Sequence, residues 1–67
     1  MLEQELARVF DALAEHPELG YVRRYAGIDC RRLQLESNYF VIYRVRPRLR
    51  VVEIMRIVHA TQFYRDD

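Results

Sequence analysis

The chain has 67 residues, 51% of them hydrophobic, and a formal net charge of +1. That size allows one domain, 1–67, burying only about 60% of the surface its unfolded form exposes, and the apolar content excludes intrinsic disorder. Cys30 is the single cysteine, so an internal disulfide and a cysteine-based metal cluster are excluded and a reducing cytoplasm is the expected setting.

Leu2, Leu6, Val9, Phe10 and Leu13 recur at three- and four-residue spacings, which predicts an amphipathic helix over 2–16. No signal peptide is expected, because the Met1 region goes straight into charged helical sequence. Pro17 disfavours helical geometry at His16 and ends the element, and Gly20 punctuates the exit. Residues 17–29 read as a connecting loop, anchored by Tyr21 and Tyr25.

Residues 31–36 alternate polar and apolar, with Leu33 and Leu35 on one side, and read as a strand. Ser37-Asn38 supplies turn chemistry. Residues 39–45 and 50–58 are rich in β-branched and aromatic side chains, with Pro47 in the turn between them. The longest apolar run, Tyr39 to Tyr43, is far too short to span a membrane. The expected fold class is α+β: one N-terminal helix packed on a three-stranded antiparallel sheet, with no internal repeat or flexible linker.

The small net charge hides an asymmetry. Residues 1–20 set Arg8 against Glu3, Glu5, Asp11, Glu15 and Glu18, while every other arginine lies in 21–67. All the basic residues are arginine. GC-rich coding is one reading of that bias; a second half that faces anions or an acidic partner is the other.

If Val45 pairs with Arg50, then Tyr39, Val41, Tyr43 and Val45 share a face with Val52, Ile54, Arg56 and Val58, and Leu33 and Leu35 join them. This face seats the helix. The opposite face then carries Arg32, Gln34, Phe40, Ile42, Arg44, Glu53, Met55, Ile57 and His59. Glu53 lies diagonal to Arg44 and compensates it; Arg56 covers Tyr39 and leads its charge to solvent. One helix covers one side of a sheet, so the second face is expected to be a bare, mixed apolar and charged interaction surface.

Tyr43-Arg44-Val45, then Val52-Glu53-Ile54, then Arg56 and His59 resemble the ParE/RelE superfamily of type II toxin–antitoxin toxins, ParE most closely. Upstream, "VFDALAEHPELGYVRR" is similar to the second helix of such toxins and the loop after it. The resemblance covers residues 2 to about 65 and implies a shortened RelE/ParE-like fold, because the strand and first helix that usually open these toxins have no counterpart.

What the resemblance implies is a toxin without enzymatic activity or cofactor that binds DNA gyrase, serves plasmid stabilisation, and is neutralised by an acidic antitoxin. Antitoxin and target binding then fall to Arg32, Phe40, Arg44, Glu53, Met55, Arg56 and His59, and to Gln62, Phe63, Tyr64 and Arg65 in the tail. The alternatives are a RelE-type ribosome-dependent endoribonuclease acting on mRNA and a non-toxic remnant that forms a homodimer. RelE-type chemistry would need His59 or Tyr64 as acid or base; Phe40 stands where such enzymes carry an arginine, and can neither stabilise a phosphorane nor move a proton. Cys30 reads as an inert small residue. His16, His59 and the carboxylates lack metal-ligand spacing.

Overall fold

The computed structural model describes residues 1–65, with side chains through residue 62. Helix α1 spans Leu2–Glu15 and turns Leu2, Leu6, Val9 and Leu13 onto the sheet. Glu3 and Glu5 in its first turn complement the helix dipole. At His16 the backbone turns to φ −134°, ψ 74°, as expected before a proline, and Pro17–Leu19 form a single 3-10 turn.

The sheet has four strands, not three, in the order β1-β2-β3-β4: Tyr21–Tyr25, Ile28–Gln34, Tyr39–Arg46 and Val51–His59, all antiparallel to their neighbours. The stretch expected to be a loop holds β1 and the start of β2. Ala26 and Gly27 join them with φ of 53° and 79°, the doubly left-handed backbone of a tight hairpin. Period-2 alternation is hard to see in β1 because this edge strand is exposed on both sides, so Val22 needs no apolar partner and Arg23 and Arg24 occupy both faces. A second, short helix, α2, follows at Ala60–Arg65. Among the described residues no helix is long and apolar enough to cross a membrane.

Two clusters fill the interior. On the α1 side, Leu13, Leu35, Val41 and Tyr43 are buried, with Leu33, Tyr39, Val45 and Val52 packed around them. Tyr43 ties the exit of α1 to the sheet. Its hydroxyl donates to Pro17 O at 2.7 Å and accepts from Gly20 N–H at 2.8 Å. A Cβ on residue 20 would stand 2.7 Å from that oxygen, so only glycine fits. Glu5 performs a similar task at the other end of α1: its carboxylate accepts from the N–H of Glu36 and of Ser37 and from the Ser37 hydroxyl, fixing the β2–β3 turn to the helix.

On the second face, Cys30, Phe40, Ile42, Val58 and Ala60 form their own buried cluster, flanked by Tyr25 and Met55. The expectation that this face is bare is corrected: Phe40 is 3% and Ile42 1% exposed. The chain covers them itself, through the Arg32 guanidinium 4.8 Å above the Phe40 ring and through Ala60 at the start of α2.

The β3–β4 register also differs from the expected one. Val45 pairs with Val52 rather than Arg50, and a bulge between Ile42 and Tyr43 leaves Met55 as the extra residue of β4. The shift from Arg50 to Val52 is two residues, so faces before the bulge are unchanged. Beyond it every side chain reverses. Arg56 and Val58 thus join Ile42 and Phe40 on the second face, and Ile57 and His59 join Val41 and Tyr39 on the α1 face.

Candidate partner-binding face

Strand pairing gathers the arginines. Cys30 and Arg32 on β2 share the second face with Arg23 on β1, with Phe40, Ile42, Arg44 and Arg46 on β3, and with Glu53, Arg56 and Val58 on β4. Among the described strand residues Glu53 is the one carboxylate there. It stands directly opposite Arg44, not diagonal to it; Arg44 Nε lies 2.6 Å and Arg46 Nη1 3.3 Å from the same Glu53 oxygen. The Arg44 hydrogen bond, with the charges of both guanidiniums, holds the Glu53 carboxyl below the usual carboxylate range.

Arg56 does not cover Tyr39. It lies opposite Ile42 and reaches back across the sheet, donating to the Tyr25 hydroxyl at 3.2 Å, with its guanidinium 6.0 Å from that ring. Its charge remains exposed. Met55 is half-buried at the bulge against the apolar cluster. The surface is therefore an apolar floor sealed by planar guanidiniums and a tyrosine, with positive charge presented outward.

The residues expected to act together divide. Arg32, Phe40, Arg44, Glu53, Met55 and Arg56 meet on one face, with Phe40 as its floor. His59 sits on the α1 face, edge-on to Tyr39 at 5.0 Å between ring centroids. Its Nδ1 accepts from the Thr61 backbone N–H at 3.2 Å and contacts the Thr61 hydroxyl, capping the start of α2. Gln62 is exposed on α2. The side chains of Phe63, Tyr64 and Arg65 lie outside the described residues. Sequence reasoning missed Arg23, Arg46 and Tyr25. Arg46 was legible as the residue two beyond Arg44; the others required recognising β1.

Cys30 is buried, and burial pushes its thiol above the ordinary range, which suits an unreactive packing residue. No group of histidine, cysteine and carboxylate side chains suited to a metal occurs among the described residues. On the opposite side, an open groove of ≈ 470 Å³ runs between the C-terminal half of α1 and the β3–β4 hairpin, lined by Phe10, Leu13, Pro17, Val45, Val52 and Ile54 among others. Phe10, expected within the helix seam, instead forms the rim of this groove and is 40% exposed.

No curated protein and no solved structure matches the chain. A family model does: that of the ParE toxin of the type II toxin–antitoxin system parDE, over residues 1–64. The match runs from α1 through all four strands and takes in every described residue of the arginine-bearing face, so this chain belongs to the ParE toxin family of type II toxin–antitoxin systems.

Proposed function

We propose that this chain is a ParE-type toxin that inhibits DNA gyrase in the cytoplasm and is silenced when a cognate antitoxin lays an acidic segment across the second face of the sheet. Members of this family work with an antitoxin partner. The observation that carries the reading is the charge of that face: Arg23, Arg32, Arg44, Arg46 and Arg56 stand against Glu53, the one carboxylate there among the described strand residues.

The rigid forks of Arg32 and Arg56, held over Phe40 and beside Tyr25, suit paired recognition of carboxylates. Met55 gives the same partner an adaptable apolar contact. Arg44 and Arg46 are partly neutralised by Glu53 and set the register of the face more than its charge.

A supercoiling assay tests the proposal. The purified chain is expected to block gyrase-driven supercoiling and to lose that effect on addition of the antitoxin encoded beside it. Unchanged supercoiling at large molar excess of the chain would sink the gyrase reading. RNA cleavage has no comparable support, since His59 is turned away from the arginines and Phe40 is buried.

A further inference from the structure

β4 is an open edge: it pairs with β3 on one side and with no described strand on the other. The direction of its backbone groups follows from one hydrogen bond. Ala60 N–H donates to Asn38 O at 2.9 Å, so antiparallel alternation makes Phe40–Val58 and Ile42–Arg56 the hydrogen-bonded pairs and turns the N–H and C=O of Ile57 and His59 away from β3. Met55 packs on the second face beside Arg56. Carried through such a bulge, the alternation turns Val52 and Ile54 outward as well. The outward-facing residues are therefore those whose side chains lie on the α1 face. Two of them, Ile54 and Ile57, are 36% and 38% exposed, and Ile54 shares its groove with Phe10.

We propose that a second copy of this chain pairs antiparallel along β4 about a two-fold axis between Met55 and Arg56, joining two four-stranded sheets into one. In that register the partner's Ile57 lies opposite Ile54, and the partner's Ile54 opposite Ile57, each through backbone groups that β3 leaves unused. The partner's His59 stands opposite Val52. On the other face the two Arg56 side chains flank the axis, and each has the partner's Glu53 diagonal to it, within reach of a long side chain. Each interaction occurs twice. The apolar shoulders beside the two α1 helices come together on the same side of the joined sheet.

The bulge selects a copy over an unrelated strand. At Met55-Arg56 the edge holds two successive residues whose backbone groups turn inward, so a regular strand loses alternation there. A strand with the same bulge at the axis regains it.

This inference does not rest on the gyrase reading, and the paired sheet leaves the cationic face open. A chain that blocks gyrase as a monomer would sink the pairing and spare the function. Sedimentation equilibrium of the full chain, at concentrations up to about 100 µM, is expected to give twice the 8.2 kDa chain mass. Ile57→Lys, at a position already exposed, is expected to weaken the dimer at least about tenfold. Ile54→Lys, which sets a charge opposite the partner's Ile57 on the joined edge, is expected to weaken it likewise. Val22→Lys on β1 should leave it unchanged, and circular dichroism should show all three variants folded. A monomer throughout that range, or a dimer indifferent to both β4 substitutions, overturns the proposal.

Discussion

Tyr43 shows how much a single side chain can carry in a chain this small. Its ring is fully buried and its hydroxyl is the meeting point of the α1 exit, the 3-10 turn and β1. Tyr43→Phe keeps the ring but leaves Gly20 N–H and Pro17 O without their buried partner. Urea denaturation should show a loss of about 1–3 kcal/mol. Glu5 is the pH-sensitive counterpart. The Ser37 hydroxyl and the Glu36 and Ser37 N–H groups hold its carboxyl below the usual range when folded. The unfolded chain then binds more protons, so stability from this contact is present above the ordinary carboxylate pKa and is lost as pH falls through the lowered value. Glu5→Gln should melt below the wild type at neutral pH, and the gap should close in acid. A gap that stays constant with pH would count against the assigned role.

At the scale of elements, three hairpins join the strands, and the turn of each holds a non-glycine residue at positive φ: Ala26, Asn38 and Arg50. In the β1–β2 hairpin the strain sits in the turn, where Ala26 holds φ 53° without the side-chain hydrogen bonding that makes asparagine tolerant of it. Ala26→Asn should therefore raise stability by up to about 1 kcal/mol, read as a higher midpoint in thermal unfolding. The β3–β4 hairpin adds a bulge to the positive φ of Arg50. By placing Met55 and Arg56 on the same face, it brings Arg56 to Tyr25 and sends His59 to the start of α2. The arginine face and the α2 cap are both consequences of that one extra residue.

Across the whole molecule, charge is sorted between the two sides of a thin plate measuring 34 × 31 × 14 Å. The carboxylates concentrate on α1 and its exit, and each of the four strands contributes at least one arginine to the far face, while Arg24 and Arg31 lie on the α1 side. An acidic segment bound there should be held by exposed charge, which salt screens over about 8–10 Å at physiological strength. Calorimetry of the toxin–antitoxin pair should show affinity falling steadily with ionic strength. Arg56→Ala should cost at least about 1 kcal/mol of that affinity and flatten the salt dependence, since Arg56 is exposed and has no carboxylate partner among the described residues. Affinity that is insensitive to both salt and Arg56 would place the antitoxin elsewhere.

The sequence by itself determined α1 and its stop at His16-Pro17, the strands around Leu33, Val41 and Ile54, the face that α1 covers, and membership in the family through the Tyr43-Arg44-Val45 and Val52-Glu53-Ile54 segments. Those features are local: each rests on a period, a proline or a short run that neighbouring residues fix. Only the tertiary structure decided that β1 exists, because an edge strand needs no apolar alternation, and that Arg56 and His59 lie on opposite faces. Periodicity counts residues along one strand, whereas a bulge is a relation between two. A single unpaired residue at Met55 therefore reversed the far end of β4 without leaving a mark in the hydrophobic pattern. Whether the second face was bare was likewise a three-dimensional matter, since the Arg32 guanidinium reached from β2 to cover Phe40 on β3.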